Sequence, residues 1–300
     1  MKATVPTSVL VPRTFPLQVA DYLSLTKPRV VVLVMICAAL GGIAAGGGTI
    51  ALWLLLHIAI GTGLLSGGAA ALNQYFESDV DAQMQRTSAR ALPQGRIGGG
   101  EALAFGITVC VCGAAYLAAF TTVAAAAAGA ASAVIYTLCY TPLKRLSAWC
   151  VPVGAVAGAL PPVIGWLAVT GSLDPGAWAV FAILFTWQLP HFTAIAWLYR
   201  EDYSGAGLVM IPRGIAEATQ YVRRIQGYTL VMVIASLLPW VLRVATTHYA
   251  VAAVILGQAF AFTALKSRDD TMDSYARRVF RVSLIYLPAV FVALTLSLQS

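Results

Sequence analysis

Apolar residues run through the chain in long uninterrupted windows, and the ionisable residues fall between them. No Asp, Glu, Lys or Arg occurs in residues 30–76 or 102–143. A helix needs roughly 20 apolar residues to cross about 30 Å of hydrocarbon, so each window has room for two spans. Gly46-Gly47-Gly48 is the expected turn in the first window, and Phe120-Thr121-Thr122 the expected break in the second. Single spans fit 146–173, 175–199, 225–242, 244–265 and 282–300. The pattern predicts an all-α, polytopic membrane helix bundle of nine transmembrane helices, with a short N-terminal segment (1–29) and one transmembrane domain (30–300). The Ala-rich stretch 123–132 is weakly apolar, and its small side chains predict close packing on neighbouring helices.

Composition agrees. Of the 300 residues, 59% are hydrophobic and 10% charged, against roughly 25% charged in a soluble domain, which rules out a water-soluble globule. Charge then orients the bundle. With the N-terminus inside, all but one of the 19 basic residues fall in inner segments, the exception being Arg243. They include Lys2, Arg13, Arg213 and Arg268. Such asymmetry predicts a cytoplasmic N-terminus and a multi-pass protein of a bacterial inner (plasma) membrane. The net charge of +7 is thereby explained and calls for no nucleic-acid partner. The first 25 residues lack the apolar core and small-residue cleavage site of a signal peptide, so a cytoplasmic tail is expected. The five cysteines, Cys37, Cys110, Cys112, Cys139 and Cys150, lie in or beside apolar spans and are expected to be buried thiols, neither paired nor metal-bound.

Polar residues concentrate in three clusters on the predicted inner face. The first follows the second span: Asn73, Glu77 and Asp81 at i, i+4 and i+8, then Arg86 and Arg90. On a continuing helix the first three share one face. Carboxylates gathered at a membrane edge are costly to desolvate. Oxygen donors of this kind suit Mg2+, and guanidinium groups suit phosphate oxygens. Asp79 points off that face. The second cluster, Tyr140 to Lys144 and Arg145, ends the fourth span, where a lysine beside a leaving diphosphate would stabilise developing charge. The third holds Trp187, Pro190, His191 and Phe192 inside a span, where an ionisable group beside an expected proline kink points to function, followed by Glu201 and Asp202. His57 and His248 have no such company and are expected to be structural.

Together these clusters resemble the UbiA superfamily of intramembrane prenyltransferases. Its N-D-x-x-D-x-x-x-D motif stands here as Asn73, Gln74, Glu77 and Asp81, and its Tyr-x-x-x-Lys motif as Tyr140 to Lys144. Further features resemble the branch that farnesylates haem: Asp21-Tyr22-Leu23 with Thr26-Lys27-Pro28-Arg29, Gly158-Ala159-Leu160-Pro161-Pro162 with Gly165-Trp166, and Trp187-Gln188 with Pro190-His191-Phe192. The second acidic motif of the superfamily is depleted, with His191-Phe192 and Tyr199 at its expected carboxylates. The resemblance implies transfer of farnesyl from farnesyl diphosphate to a vinyl group of haem B, with water addition, giving haem O and diphosphate. It implies Mg2+ on Asn73, Glu77 and Asp81, with Lys144, Tyr140, Arg86 and Arg90 as catalytic residues. His191, Arg145, Trp187, Phe192, Glu201 and Asp202 would bind substrate, and the farnesyl tail would lie in a groove open to membrane lipid. A haem A synthase or a terminal oxidase would receive the product. The rival readings are a UbiA-type enzyme acting on a quinone precursor or chlorin, and a non-enzymatic haem carrier or transporter. Against the latter, the ionisable residues gather at one face instead of mid-membrane.

Overall fold

The computed structural model describes residues 15–210, 218–266 and 269–298. Lys2, Arg13, Arg213, Arg268, the first part of the expected N-terminal tail and the end of the last expected span lie outside the described residues. Described residues form helices with no named strand. In chain order the membrane-length helices are α2 (Pro28–Ala45), α3 (Leu52–Phe76), α5 (Gly99–Phe120), α6 (Val123–Val134, continued to Leu143), α8 (Cys150–Thr170), α9 (Pro175–Leu198), α11 (Ala218–Ala235, continued to Val241) and α14 (Met272–Leu296). Shorter elements are α1 (Phe15–Leu25), α4 (Ser78–Asp81), α7 (Thr141–Leu143), α10 (Arg200–Gly205), α12 (Leu238–Val241) and α13 (Thr247–Thr263).

Eight of these helices are long and apolar enough to cross a membrane. The window 244–265, expected to supply a further span, holds α13, whose 17 residues rise about 25 Å. A turn through Arg243, with positive φ, and a bond from Thr246 N–H to Ser297 O (2.8 Å) consume the start of that window, leaving the shorter helix. The other expected breaks sit where the sequence places them. Gly47 and Gly48 take φ of 60° and 88° between α2 and α3, a conformation open to glycine at little cost. Thr122 caps α6, its Oγ1 accepting from Ala125 N–H (3.0 Å) and donating to Leu167 O (2.9 Å). The Ala-rich α6 packs as expected: Ala125, Ala126 and Gly129 are buried, and Ser132 Oγ donates to Ala157 O across to α8 (2.8 Å). α9 runs through Pro190 as one helix.

All five cysteines are free, but Cys112 and Cys139 are exposed on the bundle's outer surface and only Cys150 is fully buried. Thiols are apolar enough to face lipid, which the expectation of burial overlooked. His57 is structural in the expected sense: its Nδ1 meets Tyr116 OH at 2.8 Å and its ring stacks on Phe120.

Glycine sets the helix spacing. A Cβ built on Gly165 of α8 would lie 1.8 Å from Ala38 O of α2, and one on Gly41 of α2 would lie 2.0 Å from Pro162 O. The two backbones therefore touch, as small residues permit in membranes, where association rests on packing instead of a hydrophobic drive. α3 and α5 meet similarly, Gly68 against Cys110 N and Gly113 against Leu65 N, each at 2.7 Å from the added carbon. Replacing Gly165 with Ala should destabilise the bundle by at least the ~3 kcal/mol typical of severe overpacking, because the obstruction is backbone. Gly227→Ala on α11, where the added carbon meets nothing within 4 Å, should be neutral or stabilising by up to ~1 kcal/mol. Thermal unfolding midpoints in one detergent would read both, and equal midpoints would refute the close-packing account.

Candidate active site

The site forms where α3 leaves the apolar layer. α3 ends at Phe76, Glu77 caps it, and α4 resumes for one turn. The spacing of i, i+4 and i+8 survives this break, because Glu77 N–H donates to Asn73 O (3.0 Å) and Asp81 N–H to Glu77 O (2.7 Å). Asn73, Glu77 and Asp81 are all buried, Asp81 with 1% of its surface exposed.

Two ionised carboxylates buried at this depth need counter-charges. Arg90 Nη1 meets Asp81 Oδ2 at 2.5 Å, and Lys144 Nζ meets Glu77 Oε1 at 2.8 Å. A third cation, Lys27, donates to Asn73 Oδ1 at 2.6 Å. It stands in the left-handed region (φ 53°) just before Pro28, a rare conformation for a lysine. Burial lowers the Lys27 ammonium to about pKa 7, with Arg90 and Lys144 adding repulsion against the pull of Glu77 and Asp81. For Lys144 burial also works downward, but Glu77 together with Tyr136 and Tyr203 outweighs it and holds the group above its ordinary value. The cluster thus assembles three basic side chains around two acidic ones, which leaves it receptive to an anion.

The remaining walls are aromatic and hydroxylic. Residues Ile135–Tyr140 form a π-helical segment, a form concentrated at functional sites. It stacks the rings of Tyr136 and Tyr140 (5.4 Å) and brings Tyr136 OH to Asn73 Oδ1 (3.4 Å). Asn73 Nδ2 donates to Thr141 Oγ1 (3.0 Å), and Lys144 Nζ lies 4.5 Å from the centre of the Tyr140 ring. Arg86 covers the Tyr199 ring at 5.4 Å. Tyr203 is raised above its ordinary pKa by burial, with Arg86 and Lys144 opposing. The end of α9 and α10 therefore adjoin the cluster.

Not every sequence-predicted residue comes here. Arg145 turns outward and is gripped by Asp79 (2.6 and 3.0 Å), which holds that carboxyl below the usual range. Glu201 is 91% exposed and meets only Arg200, at 3.6 Å. No described contact joins Glu201 or Asp202 to the cluster. Trp187 and His191 turn to α14. Trp187 Nε1 donates to Ser283 O (2.7 Å), its ring stacks on His191 (4.6 Å), and Phe192 meets His191 edge-on. His191 Nδ1 pairs with Ser283 Oγ at 2.7 Å. Ser283 Oγ also reaches Phe280 O (2.6 Å), so its hydroxyl joins the imidazole to the α14 backbone.

Among the described residues no three His, Cys, Asp or Glu side chains converge. The possible metal donors are two carboxylates and one amide oxygen, and the described ion pairs engage one oxygen of each carboxylate. Mg2+ accepts such a set when phosphate oxygens and water complete it, so the residues fit that ion.

A sequence profile described as the UbiA prenyltransferase family matches residues 34–287. The chain belongs to that family. Among its relatives, a protoheme IX farnesyltransferase of Solibacter usitatus is 39% identical over 280 residues, covering 90% of this chain and 96% of the relative. The fold is that of solved UbiA-type proteins. A digeranylgeranylglyceryl phosphate synthase structure aligns with TM-score 0.77 at 16% identity, covering 93% of this chain and 98% of the other. A UbiA homolog from Archaeoglobus fulgidus bound to GPP and Mg2+ aligns with TM-score 0.62 at 15% identity, covering 91% and 99%. Lys27, Tyr136, Thr141, Tyr199 and Tyr203 adjoin the cluster, although the sequence reading gave them no role in it. The one signal for Lys27 was its place in the Thr26-Lys27-Pro28-Arg29 run, and Tyr136 lies one turn before Tyr140.

The Glu77–Lys144 pair sets a test. Glu77→Gln or Lys144→Met alone strands a buried charge and should cost ~3–5 kcal/mol. The double variant should recover most of that loss. Chemical unfolding of the purified protein would measure the cycle; additive losses would mean the pair does not act as a unit.

Proposed function

We propose that this chain transfers farnesyl from farnesyl diphosphate to a vinyl group of haem B, yielding haem O and diphosphate. The observation that carries the reading is the cation-rich cluster of Lys27, Arg90 and Lys144 around Glu77 and Asp81 at the rim of an apolar bundle. An oily diphosphate ester has the two halves that such a rim accommodates. The acceptor follows from the protoheme IX farnesyltransferase relatives.

Lys144 and Arg90 hold the diphosphate and take up its charge as the allylic C–O bond breaks, Arg86 flanking them. Asn73, Glu77 and Asp81 would hold Mg2+, which when bound neutralises phosphate oxygens and lowers the barrier by several kcal/mol. The stacked faces of Tyr136 and Tyr140 stabilise the allylic cation and keep water from it. The vinyl group attacks the farnesyl carbon, and water then adds to the resulting porphyrin side-chain cation with loss of a proton, leaving a hydroxyl. His191, on the α14 side of α9, is the acceptor residue that the sequence pattern assigns, with Trp187 and Phe192 beside it. Arg145 stays at the rim with Asp79. By the charge asymmetry of the loops this rim faces the cytoplasm of a bacterial inner membrane, with the N-terminus on the same side. A haem A synthase or terminal oxidase is the fitting recipient of the product.

Purified protein given haem B, farnesyl diphosphate and Mg2+ should yield a haem heavier by one farnesyl and one hydroxyl group in mass analysis. Chelation or Asp81→Ala should abolish that product, and Lys144→Met should slow turnover about 100- to 1,000-fold. Prenylation of 4-hydroxybenzoate with none of haem B would overturn the acceptor. Full activity of Asp81→Ala in excess chelator would overturn the metal role. His191→Ala should weaken haem binding more than farnesyl diphosphate binding, as separate titrations would reveal.

A further inference from the structure

A second concavity lies outside the ion cluster but at the same end of the bundle. It encloses about 350 Å³ between the start of α8, the last turns of α9 and the face of α11. Its walls include Trp149, Thr193, Met210, Tyr221, Arg224 and Tyr228. None of them belongs to the cluster, yet the two are joined: the wall begins at Leu146, two residues past Lys144, and Val209 N–H donates to Lys144 O at 2.7 Å.

The chemistry of the walls is particular. Tyr221 is buried and spends its hydroxyl on Thr193 O, so it offers the cavity a ring. Arg224 is half-buried above the Tyr228 ring (5.9 Å), and no described carboxylate pairs with it. A flat apolar body with an anionic edge fits walls of aromatic rings and one guanidinium that pairs with no carboxylate among the described residues. The volume is at the lower end of small-molecule sites, which run about 300–1,000 Å³, so it suits one edge of a macrocycle.

In haem B the two propionates leave one edge of the ring and the vinyl groups sit toward the opposite side. A vinyl carbon that reaches the farnesyl carbon beside Lys144 turns the propionates away from the cluster, whose cations are committed to diphosphate. A cation outside the cluster is then required.

We propose that this α8–α9–α11 cavity is the acceptor subsite, seating the propionate edge of the porphyrin, with Arg224 pairing one propionate and Trp149 and Tyr228 flanking the ring. The proposal rests on the haem-acceptor reading above. It makes Arg224 a binding residue for the acceptor and leaves the prenyl donor to the cluster.

The test compares haem B with its dimethyl ester, in which both propionates are masked, by absorbance titration of the full-length protein in detergent. Wild type should prefer the free acid by about 10- to 100-fold, the range of a charge-assisted pair. Arg224→Gln should bind the two alike, Arg224→Lys should keep part of the preference, and the KM for farnesyl diphosphate should not move. An unchanged preference in Arg224→Gln, or an equal loss for both porphyrins, overturns the proposal. So does a variant that loses affinity for phosphatidylglycerol in nanodiscs while its haem preference stands, which would make the cavity a lipid site. Should Arg224→Gln not fold, the exposed Trp149 supplies a second reading. Haem should quench its fluorescence, so Trp149→Phe should show less quenching than wild type, and undiminished quenching overturns the proposal. Failure of the underlying reading looks different: wild type binds neither porphyrin and makes no farnesylated haem.

Discussion

The arrangement depends on the cost of holding two carboxylates in a place with little water. Glu77 and Asp81 are buried, and each would be strongly disfavoured without a partner. Their compensation comes from distant stretches: Arg90 from the loop after α4, Lys144 from the end of α7, and Lys27, through Asn73, from the joint between α1 and α2. Satisfying those charges forces these stretches together, so electrostatic demand at one end of the bundle fixes the fold of the connecting segments. The resulting excess of basic over acidic groups suits an anion, which ties the charge balance of the site to that of its substrate.

The membrane part supplies a frame stiff enough for that convergence. Gly41 and Gly165 let α2 and α8 touch backbone to backbone, and Gly68 and Gly113 do the same for α3 and α5. α3 carries Asn73 while α2 carries Lys27 at its head, and between these two a carbon added to Gly63 would lie 2.9 Å from Met35 Sδ and one added to Gly67 3.2 Å from Thr26 Cβ, so small residues bring them close as well. Lys27 reaches Asn73 through a left-handed turn at a non-glycine residue, a strain that persists only where surrounding packing over-determines it.

Much of this was legible in the chain because lipid imposes simple rules. Charge-free windows gave the helices, and the Gly46–Gly48 turn and Thr122 break fell where polar and flexible residues interrupt them. The pattern of Asn73, Glu77 and Asp81 was readable because helical spacing is local. What escaped was non-local. Lys27 and Asn73 are 46 residues apart, and Asn73 and Thr141 are 68 apart; nothing in either stretch announces the other. His191 carried a functional signal, but its partner Ser283 lies 92 residues on. The window at 244–265 holds a shorter helix than its length allows, because hydropathy does not register that its first residues are used in a turn against Ser297. Glu201 and Asp202 were chosen by charge, whereas Glu201 faces outward beside Arg200 and no described contact brings either to the cluster.

The π-helical segment Ile135–Tyr140 carries a consequence of a different kind. It accommodates an additional residue within one turn, at some cost in hydrogen-bond geometry. Removing one residue would close it to a regular α-helix, and the stretches on either side, Lys144 among them, would keep their facing. A length change that would turn a regular helix by about 100° is here taken up within one turn. The segment is therefore where the spacing between Tyr136 and Lys144 can change by one residue without breaking the Lys144–Glu77 pair, a trait invisible to any comparison that scores letters without gaps.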